Sequence, residues 1–167
     1  MSFELIDKSF LKKPGNYFFQ SFLAIVALVI ILYFVGIMTQ AAIVAALGSS
    51  AFIVFAMPGS VSAQPRRLIG GNVIGLLIGI LCYYVFFISP VSQLLSKVDF
   101  TLWAALAVGL SIFLMTITNT EHPPAAGVAL GIVAQEWSYK TVIFVLAYAI
   151  SLAVVKRLLK GNLKDLC

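Results

Sequence analysis

The chain has 167 residues, 62% of them apolar and only 10% charged, with a mean hydropathy of +1.07. Soluble domains hold roughly 45 to 50% apolar residues, so this composition excludes a water-soluble fold and predicts an all-α integral membrane protein. The formal charge of +5 does not point to nucleic acid, because the basic residues form no stripe interleaved with aromatics. They flank apolar runs instead: Lys8, Lys12 and Lys13 before the first, Arg66 and Arg67 before another, and Lys156, Arg157, Lys160 and Lys164 after the last. That is the distribution of cytoplasmic flanks in a multi-pass protein with both termini inside, and no transit-peptide composition appears, which favours a bacterial plasma (inner) membrane.

In residues 1–15 the apolar Phe3, Leu5, Ile6, Phe10 and Leu11 share one face, which predicts a cytoplasmic interfacial helix ended by Pro14 and Gly15. Residues 16–159 read as the transmembrane domain. Tyr17 to Met38 is an uncharged first full span. Ala41 to Met57 is shorter, and Gly48, Ser49 and Ser50 interrupt its apolar run, which predicts a broken or re-entrant helix. Pro58 to Arg67 is a polar loop, and Leu68 to Ile88 makes a second full span. Gly71, Gly75 and Gly79 at fourfold spacing put a packing seam on one face of that span, and Asn72 should face the interior because lipid would not solvate it. Cys82 reads as a small packing residue, and with Cys167 it forms neither a disulfide framework nor metal-ligand spacing.

Residues 89–100 form a turn, and Leu102 to Ile117 is a third full span. The stretch Thr116, Thr118, Asn119, Thr120, Glu121, His122, Pro123, Pro124 then gathers polar groups and two prolines ahead of the small-residue segment Ala125 to Ala134, which is short for a span. A polar turn over Gln135 to Lys140 leads to the fourth full span, Thr141 to Leu159, and residues 160–167 are a cytoplasmic tail. The expected architecture is a compact bundle of four full spans plus two shorter, interrupted or re-entrant segments. The order long, short, long in each half suggests an internal two-fold repeat. If both short segments cross, Arg66 and Arg67 are cytoplasmic and the halves are inverted, which the charges favour; if both are re-entrant, the arginines face outward.

His122 is the sole histidine, but no nucleophile elbow, paired metal-ligand motif or phosphate loop accompanies it. The expectation is therefore no enzyme, no metal and no cofactor. Prolines at 123 and 124 suit a first helical turn and make His122 extended. The helix beginning there would point its remaining amides and positive dipole end into a cavity, an arrangement that attracts anions. Gly48 to Ser50, with the run from Ala51, would supply a second such end near the midplane. A small monovalent anion would then sit among Gly48, Ser49, Ser50, Asn72, Thr118, Asn119, Thr120, His122, Pro123 and Pro124, with Gln64 and Arg66 as an access funnel. Packing alternatives stay open: Gly48 to Ser50 as a helix contact, His122 as a cap, and the arginines as anchors of a helix end.

The run Thr120-Glu121-His122-Pro123-Pro124-Ala125-Ala126-Gly127 resembles the signature of the HPP family of integral membrane proteins. Ala46-Leu47-Gly48-Ser49-Ser50-Ala51, Gln64-Pro65-Arg66 and Gly70-Gly71-Asn72 resemble that family's upstream pattern. The similarity covers about residues 16–158. It implies a compact helical membrane domain, usually of four spans, and nitrite transport, since plant chloroplast members are associated with nitrite movement. Members often carry a C-terminal CBS pair; none lies in these residues, so nucleotide regulation is not expected. The expected partners are the lipid bilayer, a small inorganic anion and further copies in a homo-oligomer. The alternative is a non-transporting membrane subunit or scaffold.

Overall fold

The computed structural model describes residues 13–35, 41–88, 100–135 and 137–166, and their regular structure is entirely helical. The elements are α1 (Pro14–Val35), α2 (Ala41–Ala56), α3 (Pro65–Tyr83, continued by a π-helical turn over Tyr84–Ile88), α4 (Phe100–Ile117), α5 (Pro123–Ala134) and α6 (Tyr139–Leu158); a 3-10 turn at Val61–Ala63 leads into α3. Among the described residues three of the four expected full spans are helices long and apolar enough to cross a membrane: Pro65–Phe87, Phe100–Ile117 and Tyr139–Leu158. The expected first span is helical from Pro14 to Val35, and its last positions lie outside the described residues. So do the proposed interfacial residues 1–12 and nearly all of the turn at 89–100. Pro14 and Gly15, expected to end a helix, open α1 instead, where proline's missing N–H costs nothing.

Hydrogen bonds between distant segments fix the direction of each helix. Tyr17 and Gln20, near the start of α1, bond to the backbone of Leu166 and Lys164 beyond the end of α6. Leu166 N donates to Ala56 O at the end of α2. Lys156 reaches Ala63 O just before α3, and Arg66 at the start of α3 reaches Thr118 O just past α4. The start of α1, end of α2, start of α3, end of α4, start of α5 and end of α6 therefore share one end of the bundle, and successive helices alternate in direction. The re-entrant alternative, which puts the arginines at the end opposite the C-terminal basic run, does not describe this fold.

α2 is one continuous helix from Ala41 to Ala56. This corrects the expected interruption at Gly48, Ser49 and Ser50, and with it the second half-helix start at Ala51. The serines do not open the backbone because their hydroxyls turn back onto it: Ser49 Oγ donates to Ala45 O (3.0 Å), and Ser50 Oγ lies 3.1 Å from Ala46 O. Gly48 is not a contact point either, since a Cβ there would meet nothing within 4 Å.

The short α5 is the packing centre. It lies chiefly on α3, then on α4 and α2, and eight of its twelve residues are buried, Pro124 and Ala125 among them. Glycines on both sides permit the approach. On α3, a Cβ at Gly71 would come within 2.7 Å of His122 Cβ, one at Gly75 would collide with the carbonyl oxygen of Ala125, and one at Gly79 would come within 3.0 Å of Ala129 O. On the opposite face of α5, Gly127 meets Ala46 and Gly131 meets Ile43 of α2. The seam read from the α3 spacing thus holds the helix that carries His122.

Candidate functional site

α4 ends where Asn119 takes a left-handed conformation, φ 54°. Thr120 N donates to Met115 O (2.9 Å) and Asn119 N to Thr116 O (3.4 Å), the two bonds of a Schellman closure that satisfies the last carbonyls of a helix. The chain then runs alongside α3: Arg66 Nη2 donates to Thr118 O (3.1 Å), Arg67 pairs with Glu121, and the Thr118 and Thr120 hydroxyls bond to each other (2.8 Å). His122 follows in extended geometry, φ −133° and ψ 94°, and α5 starts at Pro123, as the proline restriction on its predecessor requires.

His122 is 0% exposed and is held from both ring nitrogens. Nδ1 lies 3.0 Å from Ser62 O, and Nε2 lies 2.8 Å from Ser50 Oγ. A carbonyl only accepts, so Nδ1 carries hydrogen and donates to Ser62. In the neutral ring Nε2 is then an acceptor, and the Ser50 hydroxyl gives its one hydrogen to it rather than to Ala46 O. Ser50 is 1% exposed, so the pair is an interhelical bond between α2 and the start of α5, with the 61–63 turn as third support.

The positive helix end expected at α5 is poorer in donors than the sequence suggested. Pro123 and Pro124 have no N–H, and Ala125 N donates to His122 O (2.9 Å). The prolines that start the helix also remove most of the peptide donors an anion would use. Its depth differs as well. His122 is level with Gly71, six residues past Pro65 and so about 9 Å along α3, well short of the middle of that helix.

The other candidates separate into distinct surroundings. Ser49 lines a mostly apolar hollow of about 660 Å³ between α2 and α5, together with Phe52, Pro123 and Pro124. A second hollow of about 240 Å³ between α4 and α5 is lined by Met115, Thr116, Glu121, His122 and Pro123. Pro123 borders both. Asn72 is buried as expected; its Nδ2 donates to Leu68 O (2.8 Å), and its Oδ1 has no hydrogen-bond partner. Gln64 and Arg66 are exposed at the start of α3. Asn119 is also exposed, in a helix-ending role. Among the described residues no three His, Cys, Asp or Glu side chains gather as metal ligands would.

Sequence reasoning did not single out Ser62, Lys156 or Tyr148 as supports. The Tyr148 hydroxyl donates to Leu47 O (2.6 Å) beside Gly48. These partners lie 60 to 101 residues from the groups they serve, so no local pattern announces them.

Two Dictyostelium discoideum proteins, each named only as a transmembrane protein, are similar to this chain. One is 34% identical over 121 residues, which cover 72% of this chain and 40% of that protein; the other is 29% identical over 121 residues, covering 72% and 37%. The chain thus spans less than half the length of these relatives. No solved structure matches it. The family described as HPP, transmembrane region, matches residues 11–164, the stretch that holds the six described helices and the His-Pro-Pro start of α5 with His122 and Pro124 buried, and the chain belongs to that family.

Proposed function

We propose that this chain forms a membrane pathway for a small monovalent anion, nitrite foremost, and that the anion passes the His122–Ser50 pair. The observation that carries this reading is the hydrogen bond between those two buried side chains, beside a proline that borders hollows on both of its flanks. The groups at hand are a serine hydroxyl and an imidazole rather than two peptide helix ends, and a passing anion would take the Ser50 hydrogen in place of His122 Nε2. Neutral donors of this kind replace part of a hydration shell without trapping the ion, as conduction requires. Arg66, exposed near the level of Thr118, supplies the attracting field at the mouth. Nitrite is suggested by the association of plant chloroplast HPP proteins with nitrite movement.

Alternating helix direction with long, short, long lengths in each half supports two inverted repeats, with α1 as the fourth full span. Seven of the eight described lysines and arginines lie at one end of the bundle, Lys140 being the exception; that end is then cytoplasmic. Assembly into a homo-oligomer in the plasma membrane, without a catalytic step, completes the reading.

One observation favours a second reading, a non-transporting membrane subunit: His122 and Ser50 satisfy each other and are sealed by packing. Flux separates the two. Proteoliposomes of the purified chain should take up nitrite faster than protein-free vesicles, and Ser50→Ala and His122→Ala should each change that rate by roughly tenfold, the kinetic equivalent of about 1.4 kcal/mol. A folded wild-type protein that moves no nitrite, with variants that only melt earlier, leaves the subunit reading standing alone.

A further inference from the structure

We propose that the groove between the end of α6 and the loop after α2 binds the phosphate of an anionic lipid headgroup. The groove holds about 750 Å³, with Pro58, Gly59 and Pro65 on one wall and Lys156, Arg157, Lys160 and Lys164 around the other, with Asp165 the one acidic residue lining it. Four positive side chains against one negative leave a net charge of +3.

This is a built wall rather than a loose basic tail. Residues 163–166, expected to trail into the cytoplasm, fold back and are fastened by three separate segments. Gln20 of α1 clasps Lys164, accepting from its N–H (2.8 Å) and donating to its carbonyl (2.8 Å). Tyr17 donates to Leu166 O (2.7 Å), and Leu166 N donates to Ala56 O (2.8 Å) at the end of α2. Gly59 N donates to Asp165 Oδ1 (2.8 Å), and a Cβ at Gly59 would collide with the same carboxylate. The one acidic group is therefore turned onto the loop backbone. Lys156 spends one N–H on Ala63 O (2.7 Å), and Arg157, Lys160 and Lys164 are not ion-paired among the described residues.

Clustered cations with no ion-pair partner, carried on a backbone held in place, suit a phosphate oxyanion. Inorganic phosphate and a lipid phosphodiester offer the same oxyanion chemistry; the setting selects the lipid. The groove lies at the end of a membrane span, where headgroups lie, Leu163 lines it, and Leu158 in the last turn of α6 is 77% exposed. Basic pockets at the cytoplasmic ends of membrane helices take up anionic headgroups for these reasons.

The test uses the full chain, purified in a mild neutral detergent and titrated with phosphatidylglycerol, phosphatidylcholine or inorganic phosphate while its thermal unfolding is followed. Saturating phosphatidylglycerol should raise the midpoint by about 5 °C, and phosphatidylcholine and inorganic phosphate should not. The exposed-residue variant R157Q/K160Q/K164Q should lose the rise, while K140Q at the opposite end should keep it. Equal responses to the two lipids, or a triple variant that still responds, would overturn the headgroup site. A response reproduced by inorganic phosphate alone would overturn the lipid as its source. Neither outcome depends on nitrite flux, so the pathway reading stands or falls separately.

Discussion

Asn119 shows how a polar residue beside a candidate site can have a structural task. Its left-handed backbone lets the chain turn out of α4 while Thr120 N closes onto Met115 O. Alanine in that conformation costs about 1–2 kcal/mol, and glycine adopts it freely. Asn119→Ala should therefore lower the thermal midpoint by a few degrees and Asn119→Gly should leave it close to wild type, with nitrite flux unchanged in both once folding is matched. Flux lost in a glycine variant of normal stability would make Asn119 a ligand and end the structural assignment. His122 differs in kind: every polar atom of its ring is committed to a group from another part of the chain, so nothing at position 122 can change without disturbing α2 or the 61–63 turn.

At the scale of elements, the start of α5 was legible in the sequence and the behaviour of α2 was not. Two consecutive prolines ahead of a small-residue apolar run suit a first helical turn, and glycines four apart on α3 announce a close neighbour; both can be read locally. Gly48, Ser49 and Ser50 carry the composition of a breaker, but inside an apolar bundle an opened backbone would leave carbonyl and amide groups without partners. Ser49 Oγ instead bonds to the preceding turn, Ser50 Oγ bonds to His122, and the helix continues. The donor count at α5 was also misjudged, because the prolines that start the helix have no N–H groups. The partners that complete the site, Ser62 O and Ser50 Oγ, reach His122 only through tertiary folding. The seam gives a direct test of this picture. Gly75→Ala forces a methyl against the Ala125 carbonyl, a backbone atom that cannot move without shifting α5, and overpacking of this kind costs about 1–3 kcal/mol. The expected result is a midpoint lowered by several degrees and weakened flux, whereas Gly48→Ala, with open space around it, should melt no earlier than wild type. Equal tolerance at both positions would show that α5 does not lie against α3 as described.

For the molecule as a whole, the decisive feature is that six helices alternate and gather their basic residues at one end. Of the two orientations such a bundle can take, the positive-inside bias favours the one with Lys13, Arg66, Arg67, Lys156, Arg157, Lys160 and Lys164 on the cytoplasmic side; in that orientation Lys140 alone of the described basic residues would be translocated. Single cysteines read this directly in a background carrying Cys82→Ala and Cys167→Ser. Val61→Cys sits on the basic end, at a position 53% exposed, and Tyr139→Cys opens α6 at the opposite end, at a position 68% exposed. A membrane-impermeant maleimide applied to intact cells should label Tyr139→Cys and spare Val61→Cys until the membrane is permeabilised. Labelling of both from outside would mean that α6 does not separate the two ends across the bilayer. The reverse pattern would put the headgroup groove and the arginine mouth on the outer face, so that nitrite arriving from outside would meet the cationic end first and uptake, rather than export, would be the direction the field assists.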